Sequence, residues 1–548
     1  MTWYAVYYKV EAYTASERAG AILYAHNITP TYVSDNPVLN SQHVIFEAAK
    51  AYGYGLPYHA ALAGVTSAPA ELLGLGDRIG KIKAGFDADI VLWDSDPLSV
   101  GATPTQVWID GAVQFKDPFE LNKPATGPIS PDANLTEDLS MEEVLGNVIF
   151  KGISHVYLEG KSEIFETPQE SVALVQGGAI ICIGLCVDEL AATDTSITST
   201  VVLQNGYITP PFTAFGSALG LVEIDAEPDT HDGPPPASGT IRAVDGLAFG
   251  GKQTARAFEH GVTRAISAPG WGSVSGQGIS AGFLTGAKHS LEENAVWKEE
   301  VGFHYALIED EKTPSTSSAI ALLRAKLLDA VNANSTSASP YEESSYLQRV
   351  VHGSLPLIIA ADSADVIATL IRLKLTVEDA MAKATTSAHS PSPRLRFVVI
   401  GGAESHLVAS EIAHADVSIV LAPLLPHAQT WDQRRCLTGA PLTNGTTINH
   451  LVDAGVRIAI SVEEVWETRD LGLLAGIAYA NSEGRLGFQD ALALVGENIY
   501  TMLGIEKVYK KPKDNRTSDW VIWEGSPLEI GGRIRAIGSG TAKTAIWQ

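Results

Sequence analysis

Lys81-Ile82-Lys83-Ala84-Gly85-Phe86-Asp87-Ala88-Asp89-Ile90-Val91-Leu92-Trp93-Asp94-Ser95-Asp96-Pro97-Leu98 returns, altered, as Ser518-Asp519-Trp520-Val521-Ile522-Trp523-Glu524-Gly525-Ser526-Pro527-Leu528. Leu73-Gly74-Leu75 precedes the first stretch and Leu503-Gly504-Ile505 the second. Each reads as a helix end, a turn, a strand of the form D-x-V-x-W, and a proline-punctuated turn. Asp89 and Asp519 are 519 − 89 = 430 residues apart. That is the size of a domain, too long for one turn of a solenoid. The pattern predicts the tail of one domain followed by a complete second copy, with the first copy lacking its front.

A chain of 548 residues exceeds what one hydrophobic core supports. Its net charge of −25, from 63 acidic and 38 basic residues, argues against nucleic acid and anionic membranes as partners. Three cysteines are too few for a disulfide framework, and Cys182 and Cys186, in an apolar stretch, read as core residues. Val172 to Val187 is too short and too broken by glycine to span a bilayer. With no signal peptide at Met1, the default expectation is a soluble, cytoplasmic protein.

Expected boundaries follow. Residues 1–118 hold a Ser16-capped helix, a β-rich run at Thr31-Tyr32-Val33, helical spacing at Val44–Ala49 and Pro57–Ala63, and strands at Ile90–Trp93 and Gln106–Ile109. A linker rich in Pro, Asp and Thr covers 119–146. From 147 to 205 short strands dominate. From 206 to 515 apolar runs (Ala265-Ile266, Leu357–Ile359, Phe397–Ile400, Ser418–Leu421, Arg457–Ile460) alternate with helical segments. Such alternation predicts an α/β fold, a parallel TIM-type (β/α)8 barrel. Strands at 147–205 and 516–548 flank it and predict a composite β-sandwich drawn from both sides.

The residues Gly80–Val91 and Asn205-Gly206-Tyr207-Ile208-Thr209-Pro210 resemble motifs of the amidohydrolase superfamily, metal-dependent hydrolases with a (β/α)8 barrel and a composite sandwich. The tandem arrangement resembles fungal amidohydrolase-related proteins, some labelled carbohydrate esterase family 9. The resemblance implies hydrolysis of non-peptide C–N bonds in a small-molecule substrate, by water activated on a divalent metal, zinc first. Zinc lowers the pKa of its water toward neutrality only when imidazoles and carboxylates hold it. The family's ligands are an H-x-H after strand 1, a Lys or Glu on strand 4, a His on each of strands 5 and 6, and an Asp after strand 8 that is also the general base.

Carried across, Tyr32-Val33-Ser34-Asp35-Asn36-Pro37 resembles the strand-8 motif, which makes Asp35 the base and the surviving metal ligand of the first unit. In the second unit the ligand positions fall on Gly216, Ala218, Ala360, Gly401 and Val462, none of which binds a metal through its side chain. Among 14 histidines there is no H-x-H and no H-E-x-x-H. A hard cation on Asp362, Glu404 and Glu463 is the remaining metal arrangement. The expectation is a second barrel that is a pseudoenzyme, a chain that binds no metal alone, and self-association through the front-less first unit. An H-x-H segment upstream of Met1 in a longer gene is expected as well.

Two other signals stand against their structural alternatives. Gly278-Ile279-Ser280-Ala281-Gly282 matches the G-x-S-x-G of serine hydrolases, but the glycine-rich residues before it predict a loop after barrel strand 2. Arg434 and Arg435 either face an anion or begin a helix capped by Asp432.

Overall fold

The computed structural model describes residues 8–34, 36, 40–127, 140–158, 161–193, 198–233, 240–270, 277–307, 315–333, 339–384, 394–505, 517–541 and 543–547. Apolar runs of five form the parallel strands β16 (Leu357–Ala361), β17 (Phe397–Gly401) and β18 (Val417–Leu421), extended by β15 (Phe303–Tyr305) and β19 (Ile458–Ile460). On the other side β10 (Phe212–Phe215) pairs in parallel with β11 (Val262–Ser267). Long helices such as Thr316–Asn332 and Ala364–Ala384 connect and cover these strands. This is the α/β arrangement expected of a TIM-type barrel.

Two features depart from the expectation. Residues 278–282, read as a loop, fall on β12 (Gly278–Ile279) and the start of β13 (Ala281–Leu284). They run antiparallel to β15 and β11, with Ser280 bridging the ladders through its N–H to Gly302 and its carbonyl to Val301. The far edge of β13 carries β14 (Val296–Lys298). No β19–β10 ladder forms among the described residues. There the Ser461 hydroxyl donates to the Phe215 carbonyl. The interior is hydrocarbon: Phe215, Ile266, Ile358, Val398, Ile400 and Val420 pack together, backed by Ile499, Met502 and Leu503.

Strands β4 (Met141–Val144), β5 (Asn147–Leu158), β6 (Lys161–Ile164), β7 (Val172–Gln176), β8 (Ala179–Gly184) and β9 (Thr198–Thr209) share one nine-stranded sheet with β20 (Asp519–Glu524), β21 (Arg533–Ser539) and β22 (Thr544–Trp547). The join is β9 against β20, strands from opposite sides of the barrel segment. The Trp523 indole N–H donates to Thr209 Oγ1 across a separation of 314 residues. Strand β20 is buried on both faces. Val521 and Trp523 pack with the barrel core, while Trp520 and Ile522 pack with the core of the sheet. Cys182 and Cys186, read as core residues, pack in one hydrophobic cluster and are also bonded to each other, closing the turn from β8 into the Val187–Ala192 helix. Four residues of separation bring two thiols together once the chain turns, which composition does not reveal.

Residues 8–127 hold a small core around Ala48, Leu56, Ala61 and Leu98 and a three-stranded sheet of β1 (Ile90–Trp93), β2 (Pro104–Ile109) and β3 (Ala112–Val113). Thr31-Tyr32-Val33 is not a strand. It finds no ladder among the described residues, and Tyr32 N–H donates to the Gly64 carbonyl. The sequence echo extends to three dimensions. Ile90↔Trp108, Val91↔Val107 and Leu92↔Gln106 pair as Trp520↔Gly538, Val521↔Ile537 and Ile522↔Ala536 do, with the register slip at the same place. Helices Tyr58–Ala63 and Ser67–Leu72 recur at the same offset as Phe488–Leu494 and Glu497–Leu503. Gly74 and Gly504 follow the second helix of each pair at φ +75° and +64°, a left-handed turn that glycine adopts without strain.

Candidate functional site

In a barrel of this class the C-terminal ends of the strands form the mouth where chemistry is placed. Gly216 ends β10 at φ +81°, and a β-carbon there would collide with the Ile400 side chain. Ala218 is buried beside it. Ala360 sits near the end of β16, at the rim of the hydrocarbon interior. Gly401 ends β17 at φ +101°, and a β-carbon there would stand 2.7 Å from Asp362 Oδ1. Val462, just past β19, is buried and apolar. Asp35 lies outside the described residues, so its position is not part of this geometry.

The carboxylates at the mouth are engaged or kept apart. Asp362 Oδ1 accepts from the Ala403 N–H at 3.1 Å and Oδ2 from Gln433 Nε2 at 3.0 Å, while burial pushes its pKa up. Glu404 is fully buried. It accepts from Arg435 Nη2 at 2.6 Å and Nε at 3.1 Å, and from the N–H groups of Ala364 and Arg435. Burial opposes its charge, but these donors prevail and hold its pKa below the ordinary range. Arg435 therefore serves an internal acid. The short helix that precedes it is started by Thr430, not Asp432, and Arg434 lies over the Trp431 ring.

Past β19, Glu463, Glu464 and Glu467 crowd one 3-10 turn. Burial first and mutual repulsion second raise Glu463 to about 7 and Glu464 to about 8, and burial raises Glu467 to about 7. Among the described residues no three His, Cys, Asp or Glu ligand atoms at the mouth come within 4.8 Å of one another. The trio that does, Cys182, Cys186 and Glu189, is remote from the barrel mouth and has its two sulfurs bonded to each other. The donor set therefore does not fit a catalytic zinc centre. Sequence reasoning passed over His304, on β15. It is buried in the barrel beside Phe215, its Nε2 has no hydrogen-bond partner, and burial lowers its pKa to about 3. Among the described residues His304 belongs to no group of three ligand atoms close enough to share a cation. The Ser280 hydroxyl, fully buried, donates to the Gly302 carbonyl at 3.2 Å, so it is not poised on a base as a nucleophile must be.

Residues 8–127 pack against the turn after β19 and the flank of the barrel. Arg469 pairs with Glu17 at 2.9 Å, and Asp470 with Lys50 at 2.7 Å. Tyr13 donates to Glu223, Tyr54 meets His260, and Tyr8 stacks edge-on against Trp466. A cavity of about 160 Å³ remains between the Val44–Gly53 helix and the loops after β18 and β19, walled by Phe46, Val100, Leu424, Val462, Leu474 and Ile530. A β-carbon on Gly53 would stand 3.0 Å from Ile530, and one on Gly476 would stand 3.0 Å from Val100. Val100 and Ile530 hold equivalent places in the two copies of the echo.

The sequence profile of the Amidohydrolase family matches residues 53–115. Amidohydrolase tasK of Hapsidospora irregularis is 44% identical over 537 residues, 92% of this chain and 55% of that protein. Imidazolonepropionase of Pseudoalteromonas atlantica is 44% identical over 64 residues, 11% of this chain and 16% of that protein. The chain thus spans about half of the first relative and about a sixth of the second. A crystal structure of an amidohydrolase from Thermotoga maritima MSB8 has the same fold, with a TM-score of 0.54 at 19% identity, covering 72% of this chain and 98% of that one. No helix among the described residues is long and apolar enough to cross a membrane. The matched profile and the curated relative make the chain similar to amidohydrolases, and the solved structure shares its fold.

Proposed function

We propose that the barrel of residues 206–515 is a metal-free amidohydrolase scaffold, a packing partner for the unit whose C-terminal part is residues 1–118. Hydrolysis of non-peptide C–N bonds in the whole protein, if it resembles its family, then belongs to that first unit, with Asp35 as base and metal ligand. The observation that carries this reading is the mouth itself. Two expected ligand positions are glycines at positive φ whose space is taken by Ile400 and Asp362, and the other three are apolar. Zinc chemistry needs at least three protein ligands with an open position for water, and the barrel offers none at these places. The contacts of Gly53 with Ile530 and of Gly476 with Val100 support two like units packed against each other.

The test is elemental analysis of the purified chain, followed by an amide- and N-acetyl-hydrolysis screen with and without chelator. Less than about one-tenth of a zinc per chain and no chelator-sensitive turnover is the expected result. Stoichiometric metal, lost on Asp362→Ala or His304→Ala, would overturn the reading.

A further inference from the structure

The turn that leads out of β8 gathers two sulfurs and a carboxylate. The ligand atoms of Cys182, Cys186 and Glu189 all lie within 4.8 Å of one another. Cys182 is on β8, and Cys186 stands just before the Val187–Ala192 helix at φ +47°, where the chain turns back and its sulfur meets that of Cys182. Glu189 lies in the first turn of that helix, exposed and without an ion-pair partner among the described residues. Cys186 packs on Ile149, Val172 and Leu174, so the group has one hydrocarbon flank, while half-buried Cys182 and Glu189 leave it open to solvent. A disulfide stabilises a fold mainly by closing a long loop, and this one joins residues four apart. The helix it fastens buries none of its own residues. Holding the core together therefore does not account for the pair.

We infer that Cys182, Cys186 and Glu189, once the disulfide is opened, bind one soft divalent cation of the zinc type. Opening needs a thiol reductant of the glutathione class. Its thiolate attacks the Cys182 sulfur, the S–S bond breaks, and the Cys186 thiolate leaves and takes a proton. A second reductant thiolate displaces Cys182 from the mixed disulfide, and Cys182 takes a proton in turn. The products are two protein thiols and one oxidised reductant. A zinc ion then replaces both thiol protons and forms two Zn–S bonds, Glu189 gives a carboxylate oxygen, and water completes the tetrahedron. With Zn–S bonds of about 2.3 Å the sulfurs stand about 3.8 Å apart. Side chains from Cα atoms 5.9 Å apart reach that spacing. Three residues between the cysteines also fall within the usual interval of a zinc-binding pair. Thiolates select zinc over calcium or magnesium. The site lies in the nine-stranded sheet, remote from the barrel mouth, so it is independent of the metal-free reading of the barrel.

The test uses the folded 548-residue chain before and after treatment with millimolar reduced glutathione. The count of free thiols should rise from one, Cys436, to all three cysteines. Freed of glutathione under argon, the reduced chain should take one zinc from a chromophoric chelator, and the untreated chain none. Cys182→Ser should abolish the uptake. Glu189→Gln, at an exposed position, should weaken it at least about tenfold without moving Tm. Asp362→Ala and His304→Ala should leave it unchanged, which separates this site from metal at the barrel mouth. A thiol count that stays at one, no zinc on the reduced chain, uptake that survives Cys182→Ser, or no weakening by Glu189→Gln would each overturn the proposal.

Discussion

At the scale of single residues, Gly216 and Gly401 leave no room for a larger side chain. Gly401→His would place a bulky side chain at φ +101° and against Asp362. The expected cost is about 1–3 kcal/mol in urea denaturation, with no zinc gained. Ser280 spends its hydroxyl on a carbonyl, so a fluorophosphonate probe should leave it unlabelled, as mass spectrometry of the treated protein would show. The G-x-S-x-G pattern misleads because a short strand with flanking glycines looks the same as an elbow until the neighbouring strands are known. That Gly216, Ala218, Ala360, Gly401 and Val462 carry no side-chain donor was legible from the letters. The partners that occupy the remaining acids were not, because Arg435 and Glu404 are 31 residues apart and meet only through the fold.

At the scale of elements, the turn after β19 stores protons. Glu463, Glu464 and Glu467 have raised pKa values in the folded state, so the folded chain binds protons that the unfolded chain gives up. Their stabilising share is full below the ordinary carboxylate range and drains as pH climbs from there through about 7 to 8. The buried histidines, lowered to about 3 at His304 and about 4 at His43 and His406, act at lower pH and are neutral in both states above 7. Between pH 7 and 8, Tm should therefore fall, and Glu464→Gln should flatten that fall in calorimetry. Apolar runs such as Phe397–Ile400 and Ser418–Leu421 announced their strands because parallel barrel strands are buried on both sides. Thr31-Tyr32-Val33 has strand-like letters too, and takes another form because it has no ladder to join.

At the scale of the whole molecule, residues 8–127 are fastened to the barrel by charges hidden from water. Glu17 and Arg469 are 6% and 4% exposed. Glu17→Leu removes the buried acid that Arg469 and Arg256 both face and should cost about 3–5 kcal/mol. Trypsin should then cut within residues 8–60 sooner than in the parent chain. Arg469→Met should cost less, since Arg256 still faces Glu17 at 3.5 Å. No periodicity in the sequence predicts this attachment. Its partners are 452 residues apart, and only the echo of Leu98 in Leu528 hints that two like surfaces meet.

The weaving of β9 to β20 sets a timetable for synthesis. Thr209 leaves the ribosome about 310 residues ahead of Asp519, a wait on the order of 15–60 s at ordinary elongation rates. Throughout that interval one side of β9 is open to any stray strand, so a holding chaperone on the nascent chain is what such a topology calls for.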